Sequence, residues 1–349
     1  MKFLFVIQGE GRGHFSQAIA LQQKLQANGH EVEQVLIGKS PFRKIPDYVT
    51  LGFKDKIQYF DSPNFLPTKR YTPLLLSIVY NLWHAKRYFA AMRFLKKAIN
   101  QSKANRIINF YEPLLGLTYK RYALVKPMIC VAHQYTYLHK EYAFPKCFFL
   151  RKYFLKRLTQ ITAWGAMRKI GLSFEFMPDL PQQNLYIIPP LLRQDILNAK
   201  SGHIAQKDYY LVYLLNHGFL QDIEHHILKK NIIVFSAQEK TMRNPHIHFQ
   251  KMANQAFVNA LLSAQAVVTT AGFEMVAEAM FLDKPLLLIP VNFEQKTNAF
   301  SAQRIGKVIV ANKIDMTIFE QFVENAHSND TFAQWVLREQ NRIDDLITM

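Results

Sequence analysis

Residues 267–299, VVTTAGFEMVAEAMFLDKPLLLIPVNFEQKTNA, pass from strand to helix to strand. The run Ala266-Val267-Val268-Thr269-Thr270 is short, apolar and β-branched, as a buried strand is. It breaks at Ala271-Gly272 and hands over to a predicted helix with apolar positions at Val276, Ala279 and Met280. A second strand is predicted over residues 285–290, followed by a polar loop ending in Glu294-Gln295-Lys296-Thr297-Asn298-Ala299. In a parallel α/β sheet, that loop and the Thr-Ala-Gly turn both emerge at the carboxyl edge, where such folds bind ligands. The backbone N–H groups of the helix opened by Gly272 and Phe273 attract a diphosphate. Glu278, one and a half turns further on, is within reach of a ribose diol. Glu294, Gln295 and Asn298 suit hexose hydroxyls. Together these positions have the layout of a nucleotide-sugar site.

The amino terminus gives a second βαβ unit. Residues 2–7, KFLFVI, read as a strand, and Gln8-Gly9-Glu10-Gly11-Arg12-Gly13-His14 as a glycine-rich turn. A helix is predicted from about Phe15 to Ala27, stopping at Asn28-Gly29, and residues 31–37 form the next strand. The alternation of Gly9, Gly11 and Gly13, with a His after it, departs from the dinucleotide fingerprint. No acidic residue closes the next strand to hold a dinucleotide ribose.

Gly272, Glu278, Pro285, Pro290, Gln295, Asn298 and Ala299, in that order and spacing, resemble the donor-site signature of GT-B glycosyltransferases. The resemblance is strongest to the branch containing the peptidoglycan GlcNAc-transferase. It implies two Rossmann-like α/β domains facing a cleft, and a residue at Glu278 that holds the ribose. It also implies donor-sugar contacts at Glu294, Gln295 and Asn298. The sequence departs from that pattern at Met275 and Ala271, and Glu274 sets a negative charge in the first helical turn, where it opposes a diphosphate. The glycine turn resembles the acceptor loop of the same branch, with Gly11, Arg12 and Gly13 approaching the acceptor. By that resemblance His14 is a candidate general base, and an imidazole with an ordinary pKa of about 6.5 suits proton removal near neutrality. Glu10 is its rival. The resemblance also implies acceptor contacts at Glu112 and at His133-Gln134, which follow the predicted strands 106–110 and 127–131. In the second domain it implies an anion contact at Arg193 in Pro-Pro-Leu-Leu-Arg. The nucleotide base is expected near His248-Phe249-Gln250, which makes Phe249 a candidate contact. The turn Asn216-His217-Gly218, after the predicted strand 209–215, can approach the donor phosphates. No metal and no cofactor are expected, because helix N-termini and basic groups can stabilise the leaving diphosphate.

Charge is unevenly spread along the chain. Residues 1–190 hold 28 Lys and Arg against 10 Asp and Glu, and residues 191–349 hold 15 against 16. From Ser62 to Tyr111 there are nine basic residues and no acid, and from Tyr142 to Phe174 seven more basic residues and again no acid. Aromatic and aliphatic residues are interleaved with them, as in residues 83–89 (WHAKRYF) and 148–157 (FFLRKYFLKR). Such a mixture suits an anionic membrane surface and a lipid-linked or otherwise anionic acceptor. Nucleic acid is not expected, since no nucleic-acid-binding motif accompanies the charge.

The length of 349 residues and a hydrophobic share of 49% allow two cores. The joint is expected at residues 186–193, YIIPPLLR, where paired prolines stiffen the chain. That gives an acceptor domain over residues 1–188 and a donor domain over 189–349, with a last helix, roughly 318–347, crossing back. No apolar run reaches the ~20 residues of a spanning helix; residues 74–83 are interrupted by Ser77 and Asn81. The start has too few apolar residues for a secretory signal, and Cys130 and Cys147 lack metal or redox spacing. A cytoplasmic protein, peripheral on the inner face of the plasma membrane, is the expected location. Two other functions share these features: a sugar-nucleotide 2-epimerase and a non-catalytic nucleotide-sugar-binding protein.

Overall fold

The computed structural model describes residues 1–64, 66, 74–146, 149–200, 206–214, 219, 222–223, 230–236, 243–251 and 253–349. The chain divides into two compact units, Met1–Leu191 with Glu339–Met349, and Leu192–Arg338.

The first unit is built on seven parallel strands in the order β3-β2-β1-β4-β5-β6-β7. They are β1 (Lys2–Gln8), β2 (Glu31–Lys39), β3 (Ile57–Asp61), β4 (Arg106–Phe110), β5 (Met128–Ala132), β6 (Ala166–Leu172) and β7 (Leu185–Ile188). The second unit has six parallel strands in the order β10-β9-β8-β11-β12-β13. These are β8 (Tyr209–Tyr213), β9 (Asn231–Ser236), β10 (Ile247–Lys251), β11 (Ala266–Thr269), β12 (Leu286–Leu288) and β13 (Val308–Val310). A strand covered on both faces needs an unbroken apolar run, and Phe3, Leu4, Phe5, Val6 and Ile7 of β1 are all fully buried. β11 is as completely enclosed. The strand order reverses between β1 and β4 in one unit and between β8 and β11 in the other. At such switch points the connecting chains leave in opposite directions and open a crevice at the carboxyl edge. The turn after β1, the turn after β4 and the turn after β11 therefore stand where a ligand can enter.

Helix packing in the first unit depends on one glycine. A Cβ at Gly116, in the helix Pro113–Tyr122, would lie 1.9 Å from the carbonyl oxygen of Ile161 in the helix Phe149–Thr162. Gly116→Ala is therefore expected to destabilise the protein by about 1–3 kcal/mol through overpacking. The measurement is a thermal or denaturant melt, and an unchanged midpoint would mean that the two helices separate at no cost.

Several boundaries differ from expectation. The first helix begins at Arg12 rather than Phe15, with Gly11 as its N-cap. The residues expected in a polar loop after β12 are helical instead, Phe293–Ile305. The single long helix expected near the carboxyl end is three: Met316–Glu324, Thr331–Glu339 and Arg342–Thr348. Local polar side chains cause the first break by competing with helical hydrogen bonds. Asp283 accepts from the Ser328 hydroxyl at 2.7 Å and the Asn329 N–H at 3.2 Å, and Asn329 Oδ1 accepts from the Thr331 N–H at 3.1 Å. The final helix is held within the first unit. Arg106 donates to the carbonyls of Ile347 and Thr348, both at 2.9 Å, and Arg168 to that of Leu346 at 2.7 Å. Cations at a helix carboxyl end satisfy its last carbonyls and oppose its dipole.

Candidate functional site

In the second unit the turn after β11 carries its backbone strain on an alanine. Ala271 has φ +50° and is fully buried, whereas Gly272 has φ −66°. Ala271 is held in the left-handed region by the Asn298 amide, which donates to its carbonyl at 3.1 Å. Gly272 caps the helix Phe273–Phe281 with no side-chain hydrogen bond, and a Cβ there would meet nothing within 4 Å. Glycine is thus required by neither backbone angle nor packing; its effect is to leave open space above the helix start. Phe273 is almost wholly buried and Glu274 stands in the first turn.

Glu278 is 4% exposed and meets Arg193 in a bidentate ion pair, Oε1 with Nε at 2.6 Å and Oε2 with Nη2 at 2.5 Å. Two parallel charge-assisted bonds fix the plane of the carboxylate. The anion that Arg193 meets is this carboxylate. Each carboxylate oxygen has a second lone pair, so the pair orients Glu278 without exhausting its capacity to accept.

Glu294, Gln295 and Asn298 lie on a helix, not in a loop. Asn292 is the N-cap, accepting from the Gln295 N–H at 2.9 Å, while Gln295 Oε1 accepts from the Val291 N–H at 2.9 Å. The Asn292 cap starts the helix within the polar run, and Gln295 ties it to the residue before the cap. Gln295 and Asn298 are buried with their amides on backbone groups, and Glu294 is exposed in the first turn, where its charge suits the helix dipole. Phe249 lies on the edge strand β10 with its ring packed against the core of this unit. Asn216 and His217 fall outside the described residues.

In the first unit Gly9 is sterically obligatory, because a Cβ there would sit 2.1 Å from the Gly38 carbonyl oxygen. That close approach lets the Gly9 N–H donate to the same oxygen at 3.0 Å, closing the turn against β2. With the helix starting at Arg12, Gly13 and His14 belong to its first turn, Arg12 is exposed, and Gly11 is half-buried. His14 is 6% exposed and stacks on Tyr111, ring centroids 5.7 Å apart and planes 23° from parallel. Tyr111 ends β4 at φ +64°, a second non-glycine residue held left-handed at a carboxyl edge. Its ring packs edge-on against Tyr135 and its hydroxyl meets Thr159 Oγ1 at 2.9 Å. Glu10 is paired with Arg43, Oε2 to Nε at 3.3 Å, and Arg43 also donates to the Glu10 carbonyl. Burial raises the Glu10 carboxyl above its ordinary pKa, against the opposing pull of Arg43 and a Ser40 hydrogen bond.

Glu112, expected from the sequence as an acceptor contact, lies inside the first unit. It is fully buried as the N-cap of Pro113–Tyr122, accepting from the Leu114 N–H at 3.0 Å and from the Ser62 hydroxyl at 2.8 Å. A Cβ at Gly38 would lie 2.3 Å from its Oε2, so glycine in β2 makes room for this carboxyl. Burial pushes the Glu112 pKa up from 4.5 to about 8. Folding therefore retains a proton that the unfolded chain loses above pH 4.5. The stability this group contributes is complete below that pH and is lost as pH rises toward about 8. Glu112→Gln, neutral at every pH, should flatten the fall in stability across that window. Parallel denaturant titrations from pH 4.5 to 8.5 measure it, and equal slopes in both proteins would contradict a proton on Glu112. His133 and Gln134 open the short turn His133–Leu138 at the end of β5 and are 5% and 4% exposed.

Sequence reading missed Arg43, Ser62 and Tyr111, and the pairing of Arg193 with Glu278. An unpaired buried carboxylate is costly, so a search for cations near Glu278 and Glu10 is the signal that would have found two of them.

A family model described as glycosyl transferase family 1 matches residues 1–326. No curated protein matches the sequence. Among solved structures, the glycotransferase of kitacinnamycin is similar over 99% of this chain and 95% of its own, with TM-score 0.61 and 14% identity. CalG4, the calicheamicin glycosyltransferase, is similar over 99% and 94%, with TM-score 0.60 and 15% identity. Arabidopsis thaliana UGT89C1 complexed with UDP-L-rhamnose is similar over 99% and 94%, with TM-score 0.60 and 12% identity. At these identities the likeness is one of fold.

Proposed function

The chain belongs to glycosyl transferase family 1, and from that premise we propose that it moves a hexose or N-acetylhexosamine from a nucleotide sugar, most simply a UDP-sugar, to a lipid-linked or otherwise anionic acceptor. The observation that carries the donor reading is the turn after β11. A helix start without a side-chain cap, open space at Gly272 and a carboxylate oriented by Arg193 stand together at a sheet switch point. In this reading the helix N–H groups bind the diphosphate and Glu278 accepts from the ribose hydroxyls. Phe249, Asn216, His217, Glu294, Gln295 and Asn298 belong to the same donor set, Gln295 and Asn298 chiefly by holding its backbone. UGT89C1, similar in fold, was solved with UDP-L-rhamnose, which supports a nucleotide-sugar donor.

Domains 1–188 and 189–349, the latter with its last helix in the first unit, then serve acceptor and donor. In this reading the acceptor hydroxyl is deprotonated by His14 or Glu10, and Gly11, Arg12, Gly13, Glu112, His133 and Gln134 form the acceptor set. In this reading transfer needs no metal and inverts the anomeric centre, as in the peptidoglycan GlcNAc-transferase branch that the sequence resembles, and a place on the inner face of the plasma membrane follows from the excess of basic residues in the first half of the chain. The lopsided charge favours this reading over a sugar-nucleotide epimerase, which has no separate acceptor to attract. Calorimetry with UDP, GDP and TDP, alone and as sugar conjugates, tests the donor assignment. Binding of at least one nucleotide is expected, tighter with its sugar attached, and no binding across the panel would refute it.

A further inference from the structure

The ring of His14 is held from a distant part of the chain. Tyr111, on which it stacks, keeps its left-handed backbone angle only because its surroundings over-determine it. Those surroundings are the end of the helix Phe149–Thr162. The Thr159 hydroxyl donates its single proton to the Leu155 carbonyl at 2.8 Å. Its oxygen therefore accepts from the Tyr111 hydroxyl, 2.9 Å away and 48 residues earlier in the chain. Thr162 repeats the pattern three residues on. Its hydroxyl donates to the Thr159 carbonyl at 2.8 Å and accepts from the Tyr135 hydroxyl at 3.1 Å. Tyr135 packs edge-on against Tyr111, ring centroids 5.8 Å apart, and Thr159, Thr162 and Tyr135 are all fully buried. The Thr162 carbonyl accepts from the Asn109 amide at 2.8 Å, which ties this helix end to β4. The Tyr111 ring is thus braced at its edge and at its hydroxyl.

A general base works with a further group that fixes its ring. The carboxylate next to Tyr111 in the chain, Glu112, is turned inward onto the Ser62 hydroxyl and the Leu114 N–H. At this strand end it is the tyrosine that faces the imidazole. Stacking engages the face of the imidazole, whereas the hydrogen bonds of its two nitrogens lie in the ring plane. The contact therefore sets the plane of the ring without competing for the proton it takes up.

We propose that Tyr111 and Thr159 are positioning residues for His14: Thr159 fixes the Tyr111 ring, and that ring fixes the imidazole in the plane from which it takes the acceptor's proton. This rests on the reading of His14 as the base. The test is kcat and KM for UDP release from UDP-glucose and UDP-N-acetylglucosamine, with an anionic lipid extract as acceptor, at a temperature where each variant is folded. Tyr111→Leu should lower kcat by roughly tenfold or more through misplacement of the base, with both KM values within about twofold of the wild type. Tyr111→Phe and Thr159→Val each remove the hydroxyl bond and keep the packing, and each should lower kcat severalfold. Combined, they should lose no more than the worse of the two, because they break one bond. In a His14→Ala background none of the three should lower kcat further. Wild-type kcat in Tyr111→Leu, beside a loss in His14→Ala, would overturn the inference alone. So would equal losses with and without His14, which would make the tyrosine a prop of the strand end rather than of the base. If Tyr111→Leu does not fold, wild-type kcat in both Tyr111→Phe and Thr159→Val overturns it. No turnover in the wild type, or an unchanged kcat in His14→Ala, would refute the underlying reading and this inference with it.

Discussion

Replacing His14 with alanine is expected to lower kcat by roughly 10²–10⁴-fold, the range typical of losing a positioned general base, while leaving donor affinity nearly unchanged. The expectation follows from where the ring sits. It is in the first turn of the helix after β1, at the switch point of the first sheet, and its face is fixed by Tyr111. Tyr111 is itself anchored by Thr159 and Tyr135, so the ring is held by a rigid carboxyl edge rather than by a mobile loop. Losing the stack removes about 0.5–1.5 kcal/mol of packing, so activity must be compared at a temperature where both proteins are folded. Glu10 provides the contrast. Its raised pKa makes it a stronger base than an ordinary carboxylate, and Arg43 limits that gain. If Glu10→Gln abolishes turnover on a defined acceptor and His14→Ala preserves it within a fewfold, the carboxylate is the base and the histidine supports it.

The second large effect is at Glu278. Glu278→Gln keeps the shape of the side chain but removes its charge. It should weaken nucleotide-sugar binding by about 1.5–3 kcal/mol for each charged hydrogen bond lost, roughly 10- to 150-fold in Kd. Both Glu278→Gln and Glu278→Ala also affect folding, because each removes the counter-ion of Arg193. With Glu278 4% exposed and Arg193 only partly exposed, truncation strands a guanidinium without its counter-ion. Breaking a buried pair in this way costs about 3–5 kcal/mol of stability. Binding is therefore read by calorimetry with UDP at a temperature where the Gln variant is folded, and the cost of breaking the pair by the melting temperature of each variant. Unchanged UDP affinity in folded Glu278→Gln would remove Glu278 from the donor site.

The fold class was legible because parallel sheets demand unbroken apolar runs, and β1, β4, β5 and β11 each present one. Helix starts were less legible. Residues 293–299 look like a polar loop until Asn292 is recognised as the cap that accepts from the Gln295 N–H, and capping is a property of a pair rather than of composition. Residues 318–347 look like one helix because Ser328 and Asn329 break it only by finding Asp283, far away in sequence. The site residues follow the same division. Gly9 and Gly272 could be placed from the turn they occupy, but which residue carries the left-handed angle, Ala271 rather than Gly272, depends on the hydrogen bond from Asn298. Glu112 reads as a site residue from its Glu-Pro turn, and only its burial beneath Ser62 shows it to be a cap. Ser77 and Asn81 read as interruptions of an apolar run; in the structure they are the anchors that turn that run outward.

Acceptor-dependent release of nucleoside diphosphate tests the proposed transfer most directly. The full chain is incubated with a UDP-hexose or UDP-N-acetylhexosamine, with and without an anionic lipid extract as the acceptor source, and free UDP is measured alongside sugar incorporated into lipid. UDP release that needs the extract, matches incorporated sugar mole for mole, and falls roughly 10²–10⁴-fold in His14→Ala is the expected result. UDP-sugar binding with no release on any acceptor, or conversion of the sugar nucleotide to an epimer in the absence of acceptor, would contradict it.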